Sequence, residues 1–255
     1  MRVTTVGTGT AAPTPHRVCA GHLVQTGTVS LLLDCGSGSV HRMAALGLDW
    51  MGITHVALTH FHPDHTSDIP TLFFAWRYGA LPYRSAPVQV IGPPGTGQLL
   101  AHFADLYGSA IRTPDYPLTV RELPPAQSID LGGEVRLEAR KVPHTDESVA
   151  YSVSAGGARF VYTGDMGFDA SFGEWARGCS LLLAECSLPA TMGMDTHLTP
   201  EQCGELARLA APMSLALTHF YPPVERVDVR AIVAARYGGE VVLATDGWMT
   251  EIEER

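Results

Sequence analysis

The chain has 255 residues, of which 45% are apolar and 17% charged, and carries a formal net charge of −9. That balance excludes an intrinsically disordered polymer, which needs low hydrophobicity and high charge, and no apolar run reaches the ~18 residues of a membrane helix. An acidic chain is a poor non-specific partner for polyanions, so long nucleic acid is disfavoured and no membrane association is expected.

In chain order, Arg2–Val6 reads as a strand that runs into the turn Gly7-Thr8-Gly9-Thr10. His22–Thr26 and Ser30–Asp34 follow as a hairpin around Gly27, then a short helix over about Val40–Leu46 and a buried strand at His55–Thr59. A helix is expected from Ser67 or Asp68 to Tyr78, a strand at Val88–Ile91 and a helix over Thr96–Leu106. Strands are expected at Leu118–Glu122, Glu134–Lys141, Ala150–Ser154, Arg159–Tyr162 and Leu181–Glu185. Thr199-Pro200-Glu201-Gln202 carries the signals of a helix start, with Thr as N-cap, Pro at the first helical position and Gln at the third. That helix reaches about Ala210 and is followed by a strand at Ser214–Thr218, a helix over Val227–Tyr237 and a strand at Glu240–Ala244. Strands outnumber helices, and no stretch reads as an interdomain linker. The expectation is one domain over residues 1–255: two mixed sheets packed together with helices on their outer faces.

Five cysteines (Cys19, Cys35, Cys179, Cys186, Cys203) form no C-x-x-C pair, and the N-terminus lacks the apolar core of a signal peptide. Reduced thiols in a cytoplasmic protein are expected. Histidine is the informative residue. Thr59-His60-Phe61-His62-Pro63-Asp64-His65 places four metal-ligating side chains within six residues. In extended chain, His60 and His62 point the same way and can reach one metal together. Pro63 turns the chain, so that Asp64 and His65 can face a second position nearby. Imidazole and carboxylate suit zinc, and also manganese or iron. The segment Ala57-Leu58-Thr59-His60-Phe61-His62-Pro63 recurs as Ala216-Leu217-Thr218-His219-Phe220-Tyr221-Pro222, differing only at the sixth place. Two related halves, each delivering a histidine from a strand end, account for this echo. The aromatic run Phe73-Phe74-Ala75-Trp76-Arg77-Tyr78 is expected to pack into the core; a base-stacking wall or a dimer surface is the alternative.

The H-x-H-x-D-H motif resembles the metallo-β-lactamase superfamily, and the later landmarks follow in order: Leu31-Leu32-Leu33-Asp34-Cys35-Gly36, Val142-Pro143-His144, Thr163-Gly164-Asp165 and Thr218-His219-Phe220. The resemblance implies an α/β, four-layer αββα sandwich with two divalent metal ions, Zn²⁺ foremost and Mn²⁺ as the alternative. It implies that His60, His62 and His144 hold the first metal, Asp64, His65 and His219 the second, and that Asp165 bridges both. The opening Thr5-Val6-Gly7-Thr8-Gly9-Thr10-Ala11-Ala12-Pro13, the element Thr196-His197-Leu198-Thr199 and Leu183-Ala184-Glu185-Cys186 are similar to the ribonuclease Z-like branch. That branch implies phosphodiester hydrolysis by a metal-bridging hydroxide, with Asp64 and His197 as catalytic residues and His197, near its ordinary pKa of ~6.5, protonating the leaving group. In that branch a long arm that grips tRNA lies between the third histidine and the bridging aspartate. Here Asp165 follows His144 by only 21 positions. A small phosphodiester, such as a cyclic nucleotide or a short nucleotide end, is therefore the expected substrate. A lactonase or thioesterase acting on carbon esters, a tRNA 3′-processing endonuclease and a non-catalytic metal-binding or interaction protein are the alternatives. By analogy with dimeric relatives, a homodimer is also among the expectations.

Overall fold

The computed structural model of the chain describes residues 1–112 and 114–253. The elements run β1 (Arg2–Gly7), β2 (Gly21–Thr26), β3 (Val29–Leu33), α1 (Ser39–Ala45), β4 (His55–Ala57), α2 (Pro63–Thr66), α3 (Ile69–Tyr78), β5 (Val88–Gly92), α4 (Thr96–Tyr107) and α5 (Ser109–Arg112). They continue with β6 (Leu118–Glu122), β7 (Ser128–Asp130), β8 (Arg136–Lys141), β9 (Val149–Ala155), β10 (Ala158–Tyr162), α6 (Ala170–Trp175) and β11 (Leu181–Glu185). The chain then forms α7 (Pro200–Ala210), β12 (Ser214–Thr218), α8 (Val229–Ala234), β13 (Val241–Leu243) and β14 (Met249–Glu251).

Two seven-stranded mixed sheets result, in the orders β14-β1-β2-β3-β4-β5-β6 and β13-β12-β11-β10-β9-β8-β7. The apolar runs of β3 and β11 explain the layering. Leu31 and Leu33 join Leu181, Leu183, Val153 and Phe160 in the core between the sheets. Leu32 turns outward, onto Val56, Met43, Phe73 and Trp76 beneath α1 and α3. Leu182 turns outward onto Phe172 and Leu206 beneath α6 and α7. A strand covered on both faces loses its polar alternation and reads as a continuous hydrophobic segment. The four-layer αββα sandwich is thus the observed architecture.

The Thr199 cap forms as expected: its hydroxyl accepts from Gln202 N at 3.4 Å, and Gln202 Oε1 accepts from Thr199 N at 2.9 Å. Elsewhere the boundaries shift. β4 stops at Ala57, because Thr59 N leaves the sheet to donate to Asp34 Oδ1 at 2.8 Å. The last helix starts at Val229, where the Asp228 carboxylate accepts from Ala231 N, and is shorter than the 227–237 expected. β7 and β14, three residues each at sheet edges, carry no periodic signal and escape the sequence reading. The aromatic run divides between the two readings: Phe73 and Trp76 are buried in the outer core, whereas Phe74 and Tyr78 are 55% and 51% exposed. All five cysteines are free, and no helix among the described residues is long and apolar enough to cross a membrane.

Two buried tyrosines tie the sheets together by hydrogen bonds. Tyr151 of β9 donates to Leu58 O at 2.8 Å, and Tyr162 of β10 donates to Asp34 Oδ2 at 3.0 Å. Tyr151→Phe keeps the ring and strands the Leu58 carbonyl. A loss of about 1–2 kcal/mol in unfolding free energy by urea titration is expected, and an unchanged midpoint would show that this cross-link contributes nothing.

Candidate metal centre

The predicted residues converge at one end of the sandwich, beyond the C-terminal ends of β3, β4, β10, β11 and β12. His62 caps the short helix α2 in an extended conformation, with Pro63 at its first turn, and α2 turns Asp64 and His65 inward, both buried. Asp34, directly after β3, takes a left-handed backbone (φ 57°), and His219, directly after β12, does the same (φ 58°). Such conformations are costly for residues other than glycine and cluster at functional sites. Gly164 (φ 57°) precedes Asp165, and a Cβ there would come within 2.9 Å of the Thr59 side chain, so the T-G-D step requires glycine twice over.

His60, His62, His144 and Asp165 present donor atoms all within 4.8 Å of one another; Asp64, His65 and His219 form an adjoining set of the same compactness. Asp165 lies between them. Its Oδ1 is 3.3 Å from both His65 Nε2 and His219 Nε2, and its Oδ2 is 3.8 Å from His144 Nε2 and 3.9 Å from His60 Nε2. His62 Nδ1 sits 3.0 Å from His60 Nε2 and 3.1 Å from His144 Nε2, and His65 Nε2 is 3.4 Å from His219 Nε2. His144 donates its Nδ1 proton to Thr196 O at 2.9 Å, which turns the Nε2 edge to the cluster. Asp165 Oδ1 is buried and accepts no hydrogen bond. Nitrogen lone pairs aimed at each other across about 3 Å, beside an orphaned carboxylate oxygen, fit divalent cations held between them.

The electrostatics agree. Burial disfavours an imidazolium at His65, yet Asp165 and Asp34 hold its pKa well above the usual range. Burial opposes ionisation of Asp165 and Asp64, but the neighbouring histidines, His219 and His65 foremost, hold both carboxyls below theirs. His60, with less carboxylate support, is held well below by burial. Positive charge is favoured at His65, between Asp34 and Asp165, whereas His60 and His144 are kept neutral by burial.

His197 stands beside both sets, its ring 4.9 Å from that of His144 and 5.9 Å from that of His219. Its Nδ1 is engaged by Glu185, at 3.1 Å from Oε1 and 3.2 Å from Oε2. Burial works against its charge, but the hydrogen bond and charge of Glu185 push its pKa up to about 9. The unperturbed value expected from sequence is therefore corrected by a carboxylate that the sequence reading matched to a family segment without assigning it a role. Asp34 is the second such residue: fully buried, it accepts from His65 Nδ1 at 2.8 Å and fixes that ring. The remaining histidines stay out of the cluster. His22 is buried edge-on against Tyr162, His55 bonds Thr54 Oγ1, His16 lies 3.5 Å from Glu225, and His41 and His102 are exposed.

Comparison with known proteins places this geometry in a lineage. Residues 30–220 match the family described as beta-lactamase superfamily domain. The ribonuclease Z of Mycobacterium marinum is 29% identical over 291 aligned positions that cover 100% of both chains. Among solved structures, the metallo-beta-lactamase fold protein YhfI of Bacillus subtilis superposes with a TM-score of 0.85 at 25% identity, covering 98% of each chain. The short form of human tRNase Z superposes at 0.81 and 24% identity, over 99% of this chain and 100% of that one. The chain belongs to the metallo-β-lactamase superfamily and is a metal-dependent hydrolase, with ribonuclease Z among its relatives.

Proposed function

We propose that this protein is a dinuclear phosphodiesterase acting on a small phosphodiester such as a cyclic nucleotide or a short nucleotide end. The observation that carries the proposal is the pair of donor sets on either side of Asp165, with His197 held by Glu185 at their side. His60, His62 and His144 would hold one cation, Asp64, His65 and His219 the other, and Asp165 both. Zn²⁺ suits the five imidazoles best, with Mn²⁺ the alternative. Two such cations supply Lewis-acid polarisation of a phosphoryl oxygen and an acidified water. Asp64, kept anionic by His219 and His65, can also accept a hydrogen bond from an attacking water. With Nδ1 bound to Glu185, His197 keeps Nε2 for a transferable proton, which goes to the departing alkoxide oxygen; the Glu185 carboxylate then stabilises the ring charge before transfer and fixes its orientation throughout.

Support for a small substrate comes from the interval between His144 and Asp165, filled by β9, a Gly156-Gly157 turn and β10. The alignment to the mycobacterial ribonuclease Z runs over 291 positions against the 255 residues here, so the relative carries additional residues inside the aligned region. The net charge of −9 points the same way.

Elemental analysis of protein purified without chelator should find two divalent ions per chain, and Asp165→Ala should lower occupancy at both positions. A content well below one ion per chain, not restored by added metal, would contradict the dinuclear reading. His197→Ala should keep its metal and much of its rate on bis(p-nitrophenyl) phosphate, whose leaving group is stable as an anion, yet lose on the order of 10²-fold on a nucleotide with an alkoxide leaving group. In the intact protein the alkoxide reaction should fall as pH rises through the His197 pKa. That value is about 9 without cations, and bound cations lower it, so the limb lies at or below about 9. Equal losses on both substrates would reject the acid role. Hydrolysis of a lactone panel in preference to phosphodiesters would move the assignment to carbon esters. Precursor tRNA should be a poor substrate at physiological salt, and efficient 3′ cleavage would overturn the small-substrate reading.

A further inference from the structure

Two buried hydroxyls stand between a carboxylate and a histidine of the cluster, one in each half of the sandwich. Thr59 Oγ1 lies 2.9 Å from Asp34 Oδ2, 3.1 Å from Asp34 Oδ1 and 3.0 Å from His60 Nδ1. Ser187 Oγ makes a short contact with Glu185 Oε2 and lies 2.9 Å from His219 Nδ1 and 3.2 Å from His219 O. All of these residues are buried, with Thr59 and Ser187 fully so.

A hydroxyl has one proton to give and lone pairs to receive another. Thr59 cannot face the Asp34 carboxylate at 2.9 Å oxygen to oxygen unless its proton lies between them. Ser187 has two oxygens competing for its proton, Glu185 Oε2 and the His219 carbonyl. Whichever takes it, none remains for His219 Nδ1. In both places the histidine must therefore be the donor, through Nδ1–H, and its Nε2 must carry the bare lone pair. Those are the nitrogens turned to the donor sets: His60 Nε2 toward His62 and Asp165, and His219 Nε2 toward His65, Asp64 and Asp165.

We propose that Thr59 and Ser187 are positioning residues that set the tautomer of one metal-facing histidine in each donor set. Each carboxylate then governs two histidines: Asp34 acts on His65 directly and on His60 through Thr59, while Glu185 acts on His197 directly and on His219 through Ser187. The sequence echo makes the second relay informative. Thr218 occupies the place in the repeat that Thr59 holds, yet its Oγ1 is buried with no hydrogen-bond partner, and Ser187 of a different segment serves His219 instead.

This inference rests on the two-cation reading, and its test separates the two. Stepwise Zn²⁺ affinities are measured by chelator competition in the wild-type protein, Ser187→Ala, Thr59→Val and Thr59→Ser. Ring tautomers in the zinc-free proteins are read from long-range ¹H–¹⁵N correlations. Ser187→Ala should weaken one of the two sites about 10–100-fold, as loss of an outer-sphere partner does, and should move His219 from the Nδ1–H toward the Nε2–H form. Thr59→Val, which keeps shape and removes the hydroxyl, should weaken the other site by a similar factor. Thr59→Ser, which restores the hydroxyl, should bind as the wild type does. Wild-type affinities and tautomers in both hydroxyl-free variants would overturn the relays, as would Thr59→Ser losses equal to those of Thr59→Val. A wild-type protein binding fewer than two ions would instead overturn the dinuclear reading beneath them.

Discussion

A carboxylate buried between two sheets is the constraint on which the rest is arranged. Asp34 has no exposed surface, and an unpaired charge in that position would cost several kcal/mol. Four donors surround it: Thr59 N, Thr59 Oγ1, the His65 ring and the Tyr162 hydroxyl. They come from the end of β4, from α2 and from β10 of the opposite sheet. Satisfying one charge therefore fixes the separation of the two sheets, the exit of the chain from β4 and the orientation of the His65 ring within the histidine cluster. The left-handed backbone at Asp34 belongs to the same requirement, since it turns the chain out of β3.

Glu185 plays the matching part in the other half. It receives the backbone amides of Met166 and Leu198, the Ser187 hydroxyl and the His197 ring. Through Met166 it pins the loop that carries Asp165, and through Leu198 it pins the loop that enters α7. The residue that orients the proposed acid thus also holds the shared aspartate's loop in place. Changes at Glu185 would be expressed in metal binding and in proton transfer together.

Much of this was legible in the sequence because it is local. Four ligand-type side chains in one turn of chain announce themselves, and the ordered landmarks from Asp34 to His219 placed them in one site. The alternating fate of Leu31, Leu32 and Leu33 follows from strand geometry, and the Thr199 box follows from capping chemistry. What stayed hidden depends on contacts between distant segments. Nothing in Ala184-Glu185-Cys186-Ser187 declares that its carboxylate meets a histidine twelve residues on, or that its serine meets one 32 residues on. The His197 pKa was missed for the same reason, because it is set by a partner whose proximity only the fold creates. β7 and β14 were missed because a three-residue edge strand is too short for a period to show.

The crowding of imidazole nitrogens at the cluster also bears on how much of the protein is folded at any moment. In the folded chain these groups are held in mutual opposition, whereas in the unfolded chain they separate and their repulsion vanishes. Cations that bind only the folded arrangement shift that balance by mass action, adding about 2.7 kcal/mol when free metal is a hundred times the dissociation constant. With the cations bound as proposed, the metal-free chain is the less stable form, so metal supply would bear on the amount of folded protein as well as on its activity.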